Sequence, residues 1–344
     1  MEKAGVPIGT SAENNGDIMK WIFVLLFVLM VSIVYCNTIT VAQDSTGDYT
    51  SIQEAINVSS HYDTVLVLPG TYYENIDYDS KTIVIGSMNM ITGEDQYIHS
   101  TIIDGNEQYR VVTVENDEGV GTKLIGFTIC NGHAIWESGG GILIDGTSLD
   151  IINCIVENNR AFFSSGGVLC AMESQVFLSN TTIRYNWSEK RFGGISIAGT
   201  VIFDQENLCN IYGNYGPMAC DLNIALDSEN PEIFSVYVDT FSCLEPDRYF
   251  IRNGRNGDNF NWEYLDLHVN TAFYEFYDRK SQKISETLFP IIKSVHENEG
   301  HKYKRIAVPF EDGSAKKFHI SANLEDAVKS NGKTIMRDIE KALS

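Results

Sequence analysis

The chain has 344 residues, 43% of them apolar, enough for two domains and a continuous core. Its 46 Asp and Glu against 25 Lys and Arg, a net charge of −21, exclude nucleic acid and anionic membrane surfaces as partners, because like charge repels before contact. None of the 7 cysteines stands in a Cys-x-x-Cys spacing, so no metal or redox site and no cofactor is expected.

Residues 1–18 carry three acids and one base, the wrong balance for the start of an export signal, and Met19 is the expected first residue. Trp21 to Tyr35 (WIFVLLFVLMVSIVY) is uncharged and shorter than the ~18–20 residues of a spanning helix. Residues 19–36 therefore read as a signal peptide cleaved before Asn37. A membrane anchor is the alternative, whereas a lipoprotein Cys36 is poorly served by Ile33, Val34 and Tyr35. The protein is expected to be secreted or at the cell surface, meeting the membrane only through this segment.

Next comes Val41 to Ile56 (VAQDSTGDYTSIQEAI), in which Thr50 or Ser51 caps an amphipathic helix over 52–58 that can close the open end of a solenoid. Val65 to Ile76 (VLVLPGTYYENI) follows.

From residue 128 a short apolar step ends four times in asparagine: Asn131, Asn158, Asn186 and Asn214, spaced 27, 28 and 28 apart. After the first three come Gly140-Gly141-Ile142, Gly166-Gly167-Val168 and Gly193-Gly194-Ile195. The segments between are short and β-branched: 141–144, 149–156, 176–183 and 195–203. Three short strands and tight turns fill such a period, so each repeat is one coil of a right-handed parallel β-helix, with Asn and Gly at the corners. The alternative is an antiparallel sandwich with coincidental Asn turns. The fold class is all-β, with the β-helix and its amino-terminal cap over 37–232 and closing strands and a cap over 233–269, including the alternating strand Phe234 to Phe241. Cys130, Cys154 and Cys170 are read as free, small core hydrophobes rather than disulfides.

At these residues a family resemblance appears. Residues 41–76 resemble the pectin methylesterase and pectate lyase superfamily, and the Ile-x-x-Asn and Gly-Gly-Ile repeats resemble those of bacterial polymorphic outer-membrane and adhesin-type passenger domains. The resemblance covers residues 38–245 and implies a pectin lyase-like fold. An esterase of that family would need two carboxylates and oxyanion-binding amides on adjacent coils. Gly126-Phe127-Thr128 matches the start of that region, but the Gln-Ala-Val and Gln-Asp-Thr motifs are replaced by 139–142 and 161–167. A lyase would need clustered carboxylates and an Arg base. Asp104, Asp145 and Asp150 stand apart in sequence, and Arg160 and Arg184 stand one per coil with no acidic partner visible. Catalytic residues are thus unassigned, although a glycosidase pair needs its carboxylates only ~5–10 Å apart in space.

Charge then changes. Residues 270–344 hold 13 Lys plus Arg against 11 Asp plus Glu, leaving 12 against 35, a net of −23, for residues 1–269. A boundary near residue 270 follows. Phe273 to Glu286 and Leu324 to Leu343 have helical periodicity, separated by the strand-like Ile306 to Phe310, so 270–344 is expected to be α-rich. Lys280 to Ile284, Phe289 to Lys293, Ile306 to Gly313 and Ile335 to Lys341 resemble the helical wing and scaffold of the SecA-type preprotein translocase ATPase. No phosphate loop is present, and the single Gly332-Lys333 lacks an upstream glycine, so no ATP binding is expected. A cytoplasmic motor and an export signal contradict each other, so residues 270–344 read as a fused fragment or as a genuine helical cap.

The leading expectation is an exported, non-catalytic surface or adhesin-like β-helix that binds a polysaccharide or another cell-surface ligand through a long acidic face. The alternatives are a carbohydrate-active enzyme on the same scaffold and a protein-translocation component.

Overall fold

The computed structural model describes residues 19–23, 36–217, 221–226, 234–242, 249–253, 265–277, 283–290, 303–309 and 315–321. Two compact units are distinguished, Met1–Cys36 and Asn37–Ser344. In the first, residues 19–23 are helical. The rest of the apolar run and residues 1–18 lie outside the described residues. Among the described residues no helix is long and apolar enough to cross a membrane.

The second unit is a right-handed parallel β-helix. Its chain winds repeatedly through three long faces, A, B and C, of seven, nine and seven strands, with a short three-stranded ladder, D, between B and C. One coil shows the order: Ser148–Ile152 on A, Ile155–Glu157 on B, Arg160–Ala161 on D and Val168–Cys170 on C. Within the coils each strand pairs parallel with its counterpart in the neighbouring coil, and the run on B ends in one antiparallel strand, 283–290. On B, Ile129 pairs with Val156, Val156 with Ile183, and Ile183 with Ile211, steps of 27, 27 and 28 residues.

The apolar runs 149–156, 176–183 and 195–203, each read above as one segment, are divided between two faces. The first splits into Ser148–Ile152 and Ile155–Glu157, the second into Gln175–Ser179 and Thr182–Arg184, the third into Ile195–Ile197 and Thr200–Phe203. In the three coils from residue 123 to 184 the A-to-B corner takes only two residues, one of them left-handed. Gly126 (φ 82), Asn153 (φ 53) and Asn180 (φ 44) supply it in successive coils. Asn153 Nδ2 donates to Asn89 Oδ1 at 2.8 Å and Asn180 Nδ2 to Asn153 Oδ1 at 3.0 Å, so the corners are tied together.

Period-2 alternation sends one set of side chains inward. Ile142, Val168 and Ile195, which follow the glycine pairs, are paired in register and fully buried. Cys154, Cys170 and Cys209 are buried free thiols of the same core. Cys130 is different: it pairs with Glu157 and Asp104 on the outward-facing side of B and is buried by its neighbours there. At the amino-terminal end the helix Ile52–Val58 lays Ile52, Ala55 and Ile56 on the first coil. Ser51 caps it, accepting from the Glu54 N–H at 3.3 Å, and the Glu74 carboxylate accepts from the Ile52 and Gln53 N–H groups, both at 2.9 Å.

Beyond residue 217 the alternating strand Phe234–Ser242 buries Val236, Val238 and Phe241. The strand Leu265–Tyr277 pairs parallel to it and continues through residue 270, where the charge balance changes. The helix expected over Phe273 to Glu286 is corrected by the structure: 265–277 and 283–290 form an antiparallel hairpin. The alternation Leu265, Leu267, Val269, Thr271, Phe273 selects a strand, and the aromatic spacing at 273–277 only mimics a helical period. The strand-like Ile306 segment lies in Tyr303–Pro309, paired with Ala315–Ser321. Leu324 to Leu343 falls outside the described residues, as do Cys220, Cys243 and Gly332-Lys333.

Candidate functional site: an outward ladder of aromatic and basic side chains

The B-to-C corner builds the most distinctive surface of the solenoid. Four successive B strands are each followed by a left-handed residue: Asn131 (φ 56), Asn158 (φ 57), Tyr185 (φ 56) and Gly213 (φ 66). The next residue points inward: Gly132, Asn159, Asn186 and Asn214. The asparagines chosen from the sequence therefore belong to two positions. Asn131 and Asn158 are corner residues, whereas Asn186 and Asn214 are one step further on. In register with them is Asn159.

These inward asparagines form a buried ladder. Asn159 N–H and Nδ2 both donate to Asn186 Oδ1 at 3.0 Å, and Asn186 N–H and Nδ2 donate to Asn214 Oδ1 at 2.9 and 3.0 Å. Asn214 donates in the same way to Asp221 Oδ1, and Asn159 Oδ1 accepts from the Gly132 N–H at 2.8 Å. The second glycine of each pair, Gly141, Gly167 and Gly194, packs against this ladder, while the first, Gly140, Gly166 and Gly193, lies against the backbone of Arg160, Trp187 and Tyr215. A Cβ on Gly167 would lie 2.6 Å from Gly194 O and 2.9 Å from Asn186 Nδ2, and one on Gly194 would lie 2.9 Å from Asn214 Nδ2.

One residue later, alternation turns the side chain outward. His133, Arg160 and Trp187 pair in register on ladder D, and Tyr215 continues it by a parallel bridge to Trp187. Tyr109 precedes them, its carbonyl accepting the His133 N–H at 2.8 Å. Ala134, Ala161 and Ser188, the next residues, are buried again. Five outward side chains thus follow one another over about 19 Å at the ~4.8 Å strand spacing.

The ladder and the loop that follows it in each coil are rich in aromatic surface. The Trp187 and Tyr215 rings are stacked, 8° apart in plane with centroids at 6.2 Å. Trp136 lies 4.2 Å from Phe162, which meets Phe163 edge-on at 4.9 Å. The Arg160 guanidinium lies over Trp187 at 4.3 Å, and Lys190 Nζ lies 5.1 Å from the Phe162 centroid. Trp136 is 67% exposed, Tyr215 54% and Phe163 44%, so these rings present faces to solvent although a solvent-exposed aromatic cluster is costly. At the amino-terminal end, Arg110 turns inward and donates to the Glu137 carboxylate, with Glu115 3.8 Å away on its other side. Tyr109 Oη donates to Glu137 at 2.7 Å, and that hydrogen bond to a carboxylate raises the phenol pKa.

The residues weighed from the sequence fall elsewhere, Arg160 excepted. Asp104 is on B, accepting from Asn131 Nδ2 at 2.8 Å; Asp150 is on A, 2.6 Å from Lys123 Nζ; Asp145 is an exposed turn residue after C. The three are on different sides of the solenoid. Arg184 does have an acidic partner: its Nε donates to Glu157 Oε2 at 2.7 Å, and its Nη1 to Tyr212 Oη at 3.2 Å. That partner is invisible in sequence because it lies one coil, 27 residues, away. Residues 139–142 and 161–167, which stand in place of the esterase motifs, form the corner and the start of face C. The outward positions of that face run in register through Asp77, Thr113, Leu143, Leu169, Ser196 and Asn223, so the carboxylate among them, Asp77, stands at the amino-terminal end without a second beside it in the column. Among the described residues no three His, Cys, Asp or Glu side chains gather as a metal set would. Burial pushes the thiols of Cys130, Cys154, Cys170 and Cys209 up to about 12, far from the ionised form a nucleophile needs. The acids expected to make one long face sit mostly in turns, for example Asp44, Asp79, Asp117, Glu173 and Asp204.

No family model matches the chain. Part of it is similar to the protein translocase subunit SecA of Christiangramia forsetii, 39% identical over 84 residues, which are 24% of this chain and 7% of that protein. The subunit of Bacteroides thetaiotaomicron is 36% identical over 69 residues, 20% of this chain and 6% of the other. The chain thus spans less than a tenth of the curated relatives it matches. Among solved structures it is similar to pectin methylesterase from carrot, at 16% identity and TM-score 0.34, covering 69% of this chain and 82% of that one. The Aspergillus niger pectin methylesterase follows at 14% identity and TM-score 0.30, with 67% and 80% covered. The β-helix itself rests on the parallel registers described above.

Proposed function

We propose that the protein is an exported β-helix that binds an extended carbohydrate chain along ladder D. The observation that carries this reading is the run of outward rings and bases, one per coil, on a backbone fixed by parallel pairing on both sides. Sugar rings present flat C–H faces that settle on aromatic faces, and their hydroxyls find the polar groups between. The advance per coil is close to that of one sugar in an extended chain, so successive rings can meet successive sugars without rearrangement. A rigid platform also keeps the entropic cost of binding low. Export is supported by the apolar run 21–35.

The test is a binding screen of the full chain against plant, algal and bacterial polysaccharides by affinity electrophoresis, with Trp187→Ala and Trp136→Ala. Each loss of a stacking ring should weaken retention about tenfold or more. Equal retention of wild type and both variants on every polymer bound would sink the reading.

A second reading, a carbohydrate-active enzyme, is favoured by one feature: Glu137 and Glu115 flank Arg110 at the end of the same strip, beside the exposed Trp136. Release of reducing ends from a bound polymer, lost in Glu137→Gln with binding retained, would select it.

A further inference from the structure

Seven basic side chains are described in the solenoid: Lys81, Arg110, Lys123, Arg160, Arg184, Lys190 and Arg191. Five of them face carboxylates: Lys81 with Asp79, Arg110 with Glu137, Lys123 with Asp150, Arg184 with Glu157, and Lys190 with Glu189. The two without an ion pair are Arg160 and Arg191. Both belong to one region, Arg160 in ladder D and Arg191 in the loop that leaves it after Trp187-Ser188. In a chain with a net charge of −21, these are the two of the seven that no carboxylate neutralises, and they stand in the same strip. Arg160 is moreover held: its guanidinium lies over the Trp187 ring, 4.3 Å from the centroid, and the residue itself is exposed.

On the carbohydrate reading above, we infer that the strip selects chains bearing sparse anionic substituents, carboxylate or sulfate, with Arg160 as the specificity-determining residue and Arg191 in support. A planar fork on an aromatic face makes two parallel N–H···O bonds to such a group, which a neutral hydroxyl cannot match. Substitution must be sparse, because a dense polyanion meets the repulsion of the acidic protein as a whole.

The experiment compares binding of the full chain to one glucan backbone in three forms: hydroxyethyl cellulose, carboxymethyl cellulose and cellulose sulfate, each anionic form at low and high substitution. A lightly substituted anionic form should bind about tenfold more tightly than the neutral one, and the preference should fall at high substitution. Whichever anionic form binds more tightly names the group. The ratio should collapse toward one in Arg160→Gln and stay low in Arg160→Lys, which keeps the charge but loses the fork. Lys123→Gln on face A should leave the ratio as it is. Circular dichroism confirms that each variant is folded. A ratio near one in the wild type, or an unchanged ratio in Arg160→Gln with Arg191→Gln, overturns the inference while the carbohydrate reading stands. No binding to any form, combined with no glycan in the wider screen, overturns both.

Discussion

Two ladders run side by side through the B-to-C corner, separated by one residue in each coil, and they obey different rules. The inward one starts at Gly132 and then repeats a single residue type, Asn159, Asn186, Asn214. The outward one, Tyr109, His133, Arg160, Trp187, Tyr215, holds four residue types in five places. Inward, the side chain must satisfy the backbone N–H and side-chain amide of the coil before it and a carbonyl of face B, all without water, and a short amide is the side chain that does so. Outward, solvent satisfies whatever stands there, so the position is free for chemistry. The scaffold and the binding surface are therefore adjacent residues of one chain, and the polar core of the corner is what holds the rings in line.

The difference can be broken most severely from inside. Val168→Asp places an unpaired carboxylate in a fully buried column between Ile142 and Ile195. The expected loss exceeds about 4 kcal/mol, seen in chemical denaturation as unfolding of several coils together. Asn186→Ala should come next. It strips the acceptor from Asn159 N–H and Nδ2, the side-chain donor from Val156 O and one of the two donors from Asn214 Oδ1, at a cost of roughly 3–5 kcal/mol. Gly167→Ala should cost about 2–3 kcal/mol, because its methyl would press on Gly194 O and Asn186 Nδ2. The outward counterpart, Trp187→Ala, should shift the unfolding midpoint by no more than about 1 kcal/mol while weakening glycan retention. Were Trp187→Ala as damaging to stability as Asn186→Ala, the two ladders would not have separate roles.

The smallest effect concerns the thiols. Cys154, Cys170 and Cys209, pushed up to about 12 by burial, should resist iodoacetamide in the folded protein near neutral pH and react only on unfolding. Peptide mass spectrometry checks this site by site. Raising the pH toward 12 should expose them only as the fold is lost, since the ionised form is the one that burial disfavours.

The 27- to 28-residue period, the β-branched runs, the glycine pairs and the helix capped by Thr50 or Ser51 determined by themselves that this chain winds into a parallel β-helix with a closed amino-terminal end. These are local signals: a corner needs a residue that tolerates it, a strand needs period-2 alternation, and a helix start needs its cap. Phe273 to Glu286 misled because a few aromatic residues fit both periods, and strand pairing to residues 234–242 and 283–290 decided between them. Register was decided only in three dimensions. Asn158 and Asn159 look interchangeable in sequence, and one residue of slip exchanges the inward and outward sets, so the column of Arg160, Trp187 and Tyr215 emerges only when the coils are stacked. The same stacking set Glu157 against Arg184 and kept Asp104, Asp145 and Asp150 apart. In a solenoid the neighbours that make a site lie one coil away, and which residue meets which is fixed by the hydrogen bonds between coils.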